Sequence, residues 1–161
     1  MTEREYNNCV RDYADGLYRF VLKSLKNEAD AEDVVQSAFE ELWKLRSTVI
    51  PETAKSLLYT IAYRKMIDWI RKNKKMSFVE EVETHETRTV HPPANLKDAL
   101  HHALEKLDAT KKAFVLLKDY EGYSYEEIGG ITGLSESQVK VYLHRARLQL
   151  KAYIVKMENV L

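Results

Sequence analysis

Apolar residues return every three or four positions along most of this chain, and the places where the rhythm stops divide it into helices. Tyr6, Val10, Tyr13, Leu17, Phe20 or Val21, and Leu25 predict a first helix of about six turns, ended by Asn27. Asp30 is expected to cap a second helix, with Asp33 in the first turn, where the helix dipole favours an acid. Val34 or Val35, Ala38, Leu42 and Leu45 form its apolar stripe. Arg46 to Thr53 contains Pro51, breaks the pattern and reads as a loop. A third helix is predicted from about Ala54 to Asn73, lined by Leu58, Ala62, Met66 and Trp69 and widened by Leu57, Ile61 and Ile70. From Lys74 to Asn95 the pattern disappears: Glu80, Glu81, Glu83 and Glu86 stand with Pro92, Pro93 and few apolar residues, the composition of a solvated linker. Leu96, Leu100, Ala103 and Leu107 open a new helix, and Asp108 or Thr110 starts another that carries Phe114 and Leu117 and ends at Glu121 and Gly122. No stretch alternates as a strand does. The pattern predicts an all-α chain of two small helical domains, residues 1–75 and 96–161, joined by a flexible linker at 76–95.

The most informative stretch is Ser124 to Ile154. Ser124 with Glu127 makes a capping box, and Ser135 with Gln138 makes a second. Between them Gly133 lets the chain turn with positive φ, and Gly129 carries no side chain to hold the two helices apart. The second helix buries Val139, Leu143, Ala146, Leu150 and Ile154. Its other side carries Lys140, His144, Arg147 and Lys151, with Arg145 beside them, and no acid occurs from Ser137 to Met157. A helix-turn-helix with a basic free face fits the DNA major groove.

The formal charge is zero, yet the charges are segregated. Glu28 to Glu41 holds Glu28, Asp30, Glu32, Asp33, Glu40 and Glu41 and no base, while Arg64 to Lys75 holds Arg64, Lys65, Arg71, Lys72, Lys74 and Lys75 against Asp68. Cys9 stands alone, which excludes an internal disulfide and a cysteine-based metal cage and suits a reducing cytoplasm. The N-terminus has no apolar run of the signal-peptide kind, and no stretch is long enough to span a bilayer, so a cytoplasmic chain without membrane insertion is expected.

Three motifs in order, Asp30 to Trp43, Leu57 to Lys75 and Tyr123 to Leu150, resemble the extracytoplasmic-function group of bacterial sigma-70-type factors. The resemblance implies two helical domains, region 2 and region 4, that bind core RNA polymerase and direct it to promoter DNA, with an anti-sigma factor as a further partner. It places Asp33, Gln36, Phe39 and Glu40 on the helix that docks on polymerase, where an acidic face meeting a basic coiled coil gains steering. It places −10 recognition in the loop around Arg46 to Lys55 and the helix bearing Arg64, Lys65, Arg71 and Lys72, where opened bases are captured and cations hold phosphates. It places −35 recognition on Gln138, Lys140, Val141, His144, Arg145 and Arg147. Two positions depart from the family pattern. Tyr63 and Arg64 replace an Arg-Asn pair, exchanging a side chain that both donates and accepts for one that only donates. Ser37 stands where an acid is common.

Other features carry less. Trp43 and Trp69 fit helix interiors better than base-stacking platforms. His101 and His102 have no helical relation to His91 and read as a solvated pair, so no metal site is expected. Glu126 and Glu127 are explained by the dipole of the helix they begin. No nucleophile–base pair and no phosphate-cradling glycine loop appears, so neither an enzyme nor a cofactor is expected. The alternative reading is a stand-alone helix-turn-helix regulator, which leaves the acidic helix unexplained.

Overall fold

The computed structural model describes residues 1–81 and 95–158, and the side chains among them except those of 75–81 and 158. The predicted linker falls mainly outside the described residues, as do His91 and the side chains of its four glutamates. All regular structure among the described residues is helical: α1 Glu3–Leu25, α2 Glu28–Leu45, α3 Pro51–Glu81, α4 Leu96–Lys106, α5 Ala109–Val115, α6 Tyr125–Thr132 and α7 Glu136–Glu158. A 3₁₀ turn at Arg46–Thr48 follows α2, and a π-type turn at Leu116–Tyr120 extends α5.

Capping chemistry sets most of the boundaries. Thr2 and Glu5 form a capping box at the start of α1. The junction of α1 and α2 differs from the sequence expectation. Lys26 ends α1 in the left-handed region at φ 59°, and Asn27 caps α2 by accepting from the Asp30 amide at 3.0 Å. Asp30 therefore sits inside the first turn, where the dipole serves it equally well. Pro51 also acts in the opposite sense to the one expected. Its fixed φ and missing N–H suit the first position of a helix, so it starts α3 where a loop was predicted. At the far end α3 runs to Glu81, so residues 76–81 are helical although the linker was expected to begin there. No Gly or Pro occurs between Ala54 and Glu81 to stop it.

Helices α1, α2 and α3 pack around Leu17, Phe20, Val21, Leu42, Leu58, Ala62 and Met66. Helices α4 to α7 pack around Phe114, Leu117, Ile128, Val139 and Leu143. The two groups are not separate cores: one continuous buried cluster runs through both, with α3 against α6 and α1 against α5. Leu45 and Leu96, expected in apolar stripes, are exposed at 37% and 70%. Both stand at helix ends, where the stripe runs out of neighbours.

Candidate functional site

The helix-turn-helix forms as its sequence dictates. The Ser124 hydroxyl accepts from the Glu127 amide and the Glu127 carboxylate accepts from the Ser124 amide, both at 3.1 Å. Ser135 and Gln138 make the same reciprocal pair at 3.1 and 3.0 Å. Gly133 takes φ 81° between the two helices, and its amide donates to the Gly129 carbonyl. Val139, Leu143, Ala146 and Leu150 are buried, which turns Gln138, Lys140, Val141, His144, Arg145 and Arg147 to solvent.

Not all of these side chains are equally available. Arg147 donates to Asp119 at 2.9 Å, tying the middle of α7 to the π-type turn. Lys140 pairs with Glu136 at 3.4 Å and stands 5.5 Å from the Tyr125 ring. An exposed pair of this kind is weak and exchanges readily for a phosphate or a base.

On α2, Asp33, Gln36 and Glu40 share one exposed face, with Gln36 Nε2 donating to Glu40 at 3.5 Å. Phe39 does not join them: it is buried against the edge of the Tyr6 ring, and its carbonyl accepts from the Tyr6 hydroxyl at 2.9 Å. On α3, Arg64, Arg71 and Lys72 are exposed, while Lys65 is paired with Glu41 at 3.2 Å. Tyr63, at the departure from the family pattern, packs half-buried against the core, and burial pushes its hydroxyl up from its ordinary value.

The loop between α2 and α3 is held at both sides. The α-ammonium of Met1 donates to the carbonyls of Arg46 at 2.5 Å and Val49 at 2.8 Å. The Arg46 guanidinium lies 3.7 Å from the Trp43 ring centroid, and Tyr6 meets Trp43 edge-on at 4.9 Å. Trp43 is thus a half-covered surface residue rather than the core residue expected, whereas Trp69 packs partly against the core. Ile50 at the tip is 57% exposed. A groove of about 530 Å³ runs from this loop to Glu127 and Gly130 of α6.

Sequence reasoning missed the polar contacts between the two halves. Glu121, its side chain 7% exposed, accepts from Arg19 of α1 through both oxygens at 3.3 and 3.0 Å and from the Tyr59 hydroxyl of α3 at 3.4 Å. Burial, and then the Glu121 charge, push the Tyr59 hydroxyl up from its ordinary value. Lys55 lies over the Tyr123 ring at 5.1 Å and Lys23 over Tyr120 at 4.0 Å. Lys26 pairs with Glu105, which also takes Lys112 at 3.3 Å. Lys112 is buried, and that burial brings its ammonium down to about 8. Only pairing charged and aromatic groups 62 to 102 positions apart would have found the contacts between the halves, and the sequence offers too many such pairs.

Sigma-70 region 2 matches residues 9–76, and Sigma-70, region 4 matches residues 97–150. RNA polymerase sigma factor SigV of Bacillus subtilis is 35% identical over 150 residues, covering 92% of this chain and 90% of its own. The chain belongs to the extracytoplasmic-function group of sigma-70 factors. RNA polymerase sigma factor YlaC, also of Bacillus subtilis, is 30% identical over 160 residues and covered to 90%. Among solved structures, the sigma factor RpoE in complex with the anti-sigma factor NepR from Bartonella quintana superposes with a TM-score of 0.75 at 21% identity, covering 94% of this chain and 97% of that one. CnrH in complex with the cytosolic domain of CnrY gives 0.72 at 25% identity, covering 96% and 90%. In this sigma factor, then, the region 2 match falls on α1–α3 and the region 4 match on α4–α7, and no described helix is long and apolar enough to cross a membrane.

Proposed function

We propose that this sigma factor binds core RNA polymerase through the exposed face of α2, with Asp33, Gln36 and Glu40 as contacts and Phe39 holding that face from beneath. Region 2 takes the opened −10 strand on Arg64, Lys65, Arg71 and Lys72, with the loop around Ile50 as the place where a base is captured. Region 4 lays α7 in the −35 major groove, where Lys140, Val141, His144 and Arg145 reach bases and phosphates. Gln138 lies at the helix start, and Arg147 contacts phosphate on leaving Asp119. The protein works in the cytoplasm, and an anti-sigma factor is its second partner; two solved relatives are held in complexes of that kind. The observation that carries the reading is the pairing, in one chain, of exposed charges that are all acids from Glu28 to Glu41 on α2 with exposed charges that are all bases from Ser137 to Met157 on α7. A stand-alone regulator has no use for the first. The test is reconstitution: the purified chain with core polymerase should give a stable holoenzyme that starts transcription from a defined class of promoters. Failure to associate with core would sink the reading, even if the chain still bound DNA.

A further inference from the structure

We propose that the exposed faces of α2 and α7 pair between two copies of this chain, so that the free factor self-associates through the surfaces it offers to polymerase and to the −35 element. The exposure and charge of the two faces carry the pairing; what it masks rests on the promoter reading above. Val141, Leu148 and Val155 recur every seven residues on α7 and are 47%, 54% and 46% exposed. At about 100° per residue they fall opposite Val139, Leu143, Ala146 and Leu150, the buried side of the helix. They make an apolar seam about 21 Å long at about 1.5 Å per residue. Lys140, His144 and Lys151 flank it on one side and Arg145 and Lys156 on the other, all exposed. Base reading by the N-terminal half of α7 accounts for Val141 and leaves Leu148 and Val155 without a use.

The counterpart lies on α2. Ala29, Gln36 and Trp43 recur at the same seven-residue interval along its exposed side. Glu32 flanks this row on one side, and Asp33 and Glu40 flank it on the other. Two helices whose middle rows share a period of seven and whose flanking charges are opposite can lie side by side, as in a coiled coil. Gln36 in the middle of the row fixes the register and keeps the contact weak and reversible. The remaining charges set the direction. Lys44 is the only base on α2, and Glu136 is the only acid on α7 before Glu158. The antiparallel arrangement brings these two to the same end and opposes the two helix dipoles. It sets Trp43 on Val141, Gln36 on Leu148 and Ala29 on Val155.

Charge outside the contact does not oppose it. The formal net charge is zero, so two copies approach without overall repulsion while the segregated faces attract. An α7–α7 pairing is disfavoured by the same charges, since both seams would bring bases. On a second copy α2 meets the chemistry that the promoter reading gives its polymerase partner, a basic helical surface. A paired copy has its docking face or its −35 face covered. Association therefore holds surplus factor out of use until polymerase or promoter DNA competes for those faces.

Sedimentation equilibrium of the full chain tests the pairing. The average mass should climb above that of the monomer with concentration at about 0.05 M salt and fall back at about 0.5 M, where exposed charges are screened. Leu148→Glu spoils the seam and Gln36→Lys spoils the row, both at exposed positions that leave the core alone. Circular dichroism checks that each variant is folded. Each alone should stay monomeric. Mixed in equal amounts they should associate again, because one chain still offers α2 and the other α7. A duplex carrying the −35 element should break the parent's pairs. A parent that is monomeric at every concentration would overturn the proposal and leave the seam to a different protein. Association that survives in either single variant, or variants that do not recover on mixing, would overturn the α2–α7 pairing. Pairs that persist with the duplex bound would overturn the masking. No arm uses polymerase, so a failure of the promoter reading shows separately, as a parent chain that forms no holoenzyme.

Discussion

A Cβ on Gly129 would lie 2.7 Å from the carbonyl oxygen of Leu134, across the turn of the helix-turn-helix. The obstacle is backbone, so no side-chain rotation relieves it. Gly129→Ala should therefore cost about 1–3 kcal/mol by overpacking, despite the better helix propensity of Ala. Thermal melts would show the loss, and −35 binding should fall with it. Gly130, the next residue of the same helix, faces open space, so Gly130→Ala should be neutral or stabilising; equal losses at the two positions would refute the close-approach account.

Lys112 gives the stability a pH dependence. Its folded value is about 8 against an ordinary 10.5, lowered by burial. Between those values the unfolded chain holds more protons than the folded one, so stability rises with pH across that window. The gain from pH 8 to pH 10 should be about 2 kcal/mol. Tyr59 and Tyr123 act with the opposite sign: burial raises both above 10, so stability is lost as pH rises past 10. Denaturant melts should therefore peak near pH 9 to 10. Lys112→Met should flatten the rise and stabilise the protein at pH 7; a rise that persists in this variant would exclude Lys112 as its source.

Polymerase docking should be separable from DNA binding. Asp33→Lys with Gln36→Ala reverses charge on an exposed face without touching the core. Affinity for core polymerase should fall at least tenfold, with most of the change in association rate and salt dependence. Half-site DNA binding should not change. Phe39→Ala should act differently: it opens a cavity beneath that face and lowers the melting temperature along with docking.

Lys140 and Lys151 test where α7 reads bases. Lys140 lies in the N-terminal half of the helix, the part that reaches base edges. Lys140→Ala should relax preference at one or two −35 positions by about 1–3 kcal/mol. Lys151→Ala should weaken all sequences alike and reduce the salt slope by about one. A promoter-library selection at two salt concentrations measures both. An even loss across the library for Lys140→Ala would make it a phosphate contact.

What the sequence made legible was local. Capping boxes at Ser124 and Ser135, the turn at Gly133 and the stripe from Val139 to Leu150 all depend on residues a few positions apart, and each appears as expected. Pro51 was ambiguous because the same missing N–H that breaks a helix also suits its first turn. Trp43 was misplaced because helical spacing reports a face and not how far the core extends beneath it. The burial of Phe39 was hidden in a motif whose other members face solvent. The ion pair between the halves joins Arg19 and Glu121, 102 positions apart, and no local pattern announces it.

Lys26 shows how local and long-range demands are reconciled in one residue. Its left-handed backbone is the conformation in which glycine rests most easily, and a side chain there costs about 1 kcal/mol or more. That same side chain reaches Glu105 in the other half of the molecule. A consensus-minded redesign that placed glycine at this junction would improve the hinge between α1 and α2 taken alone. It would also cut a strap between regions 2 and 4. An exposed ion pair contributes about 0–1 kcal/mol, so the gain at the junction and the loss between the halves would nearly offset each other, and melting temperature alone would be a misleading guide to which of the two had changed.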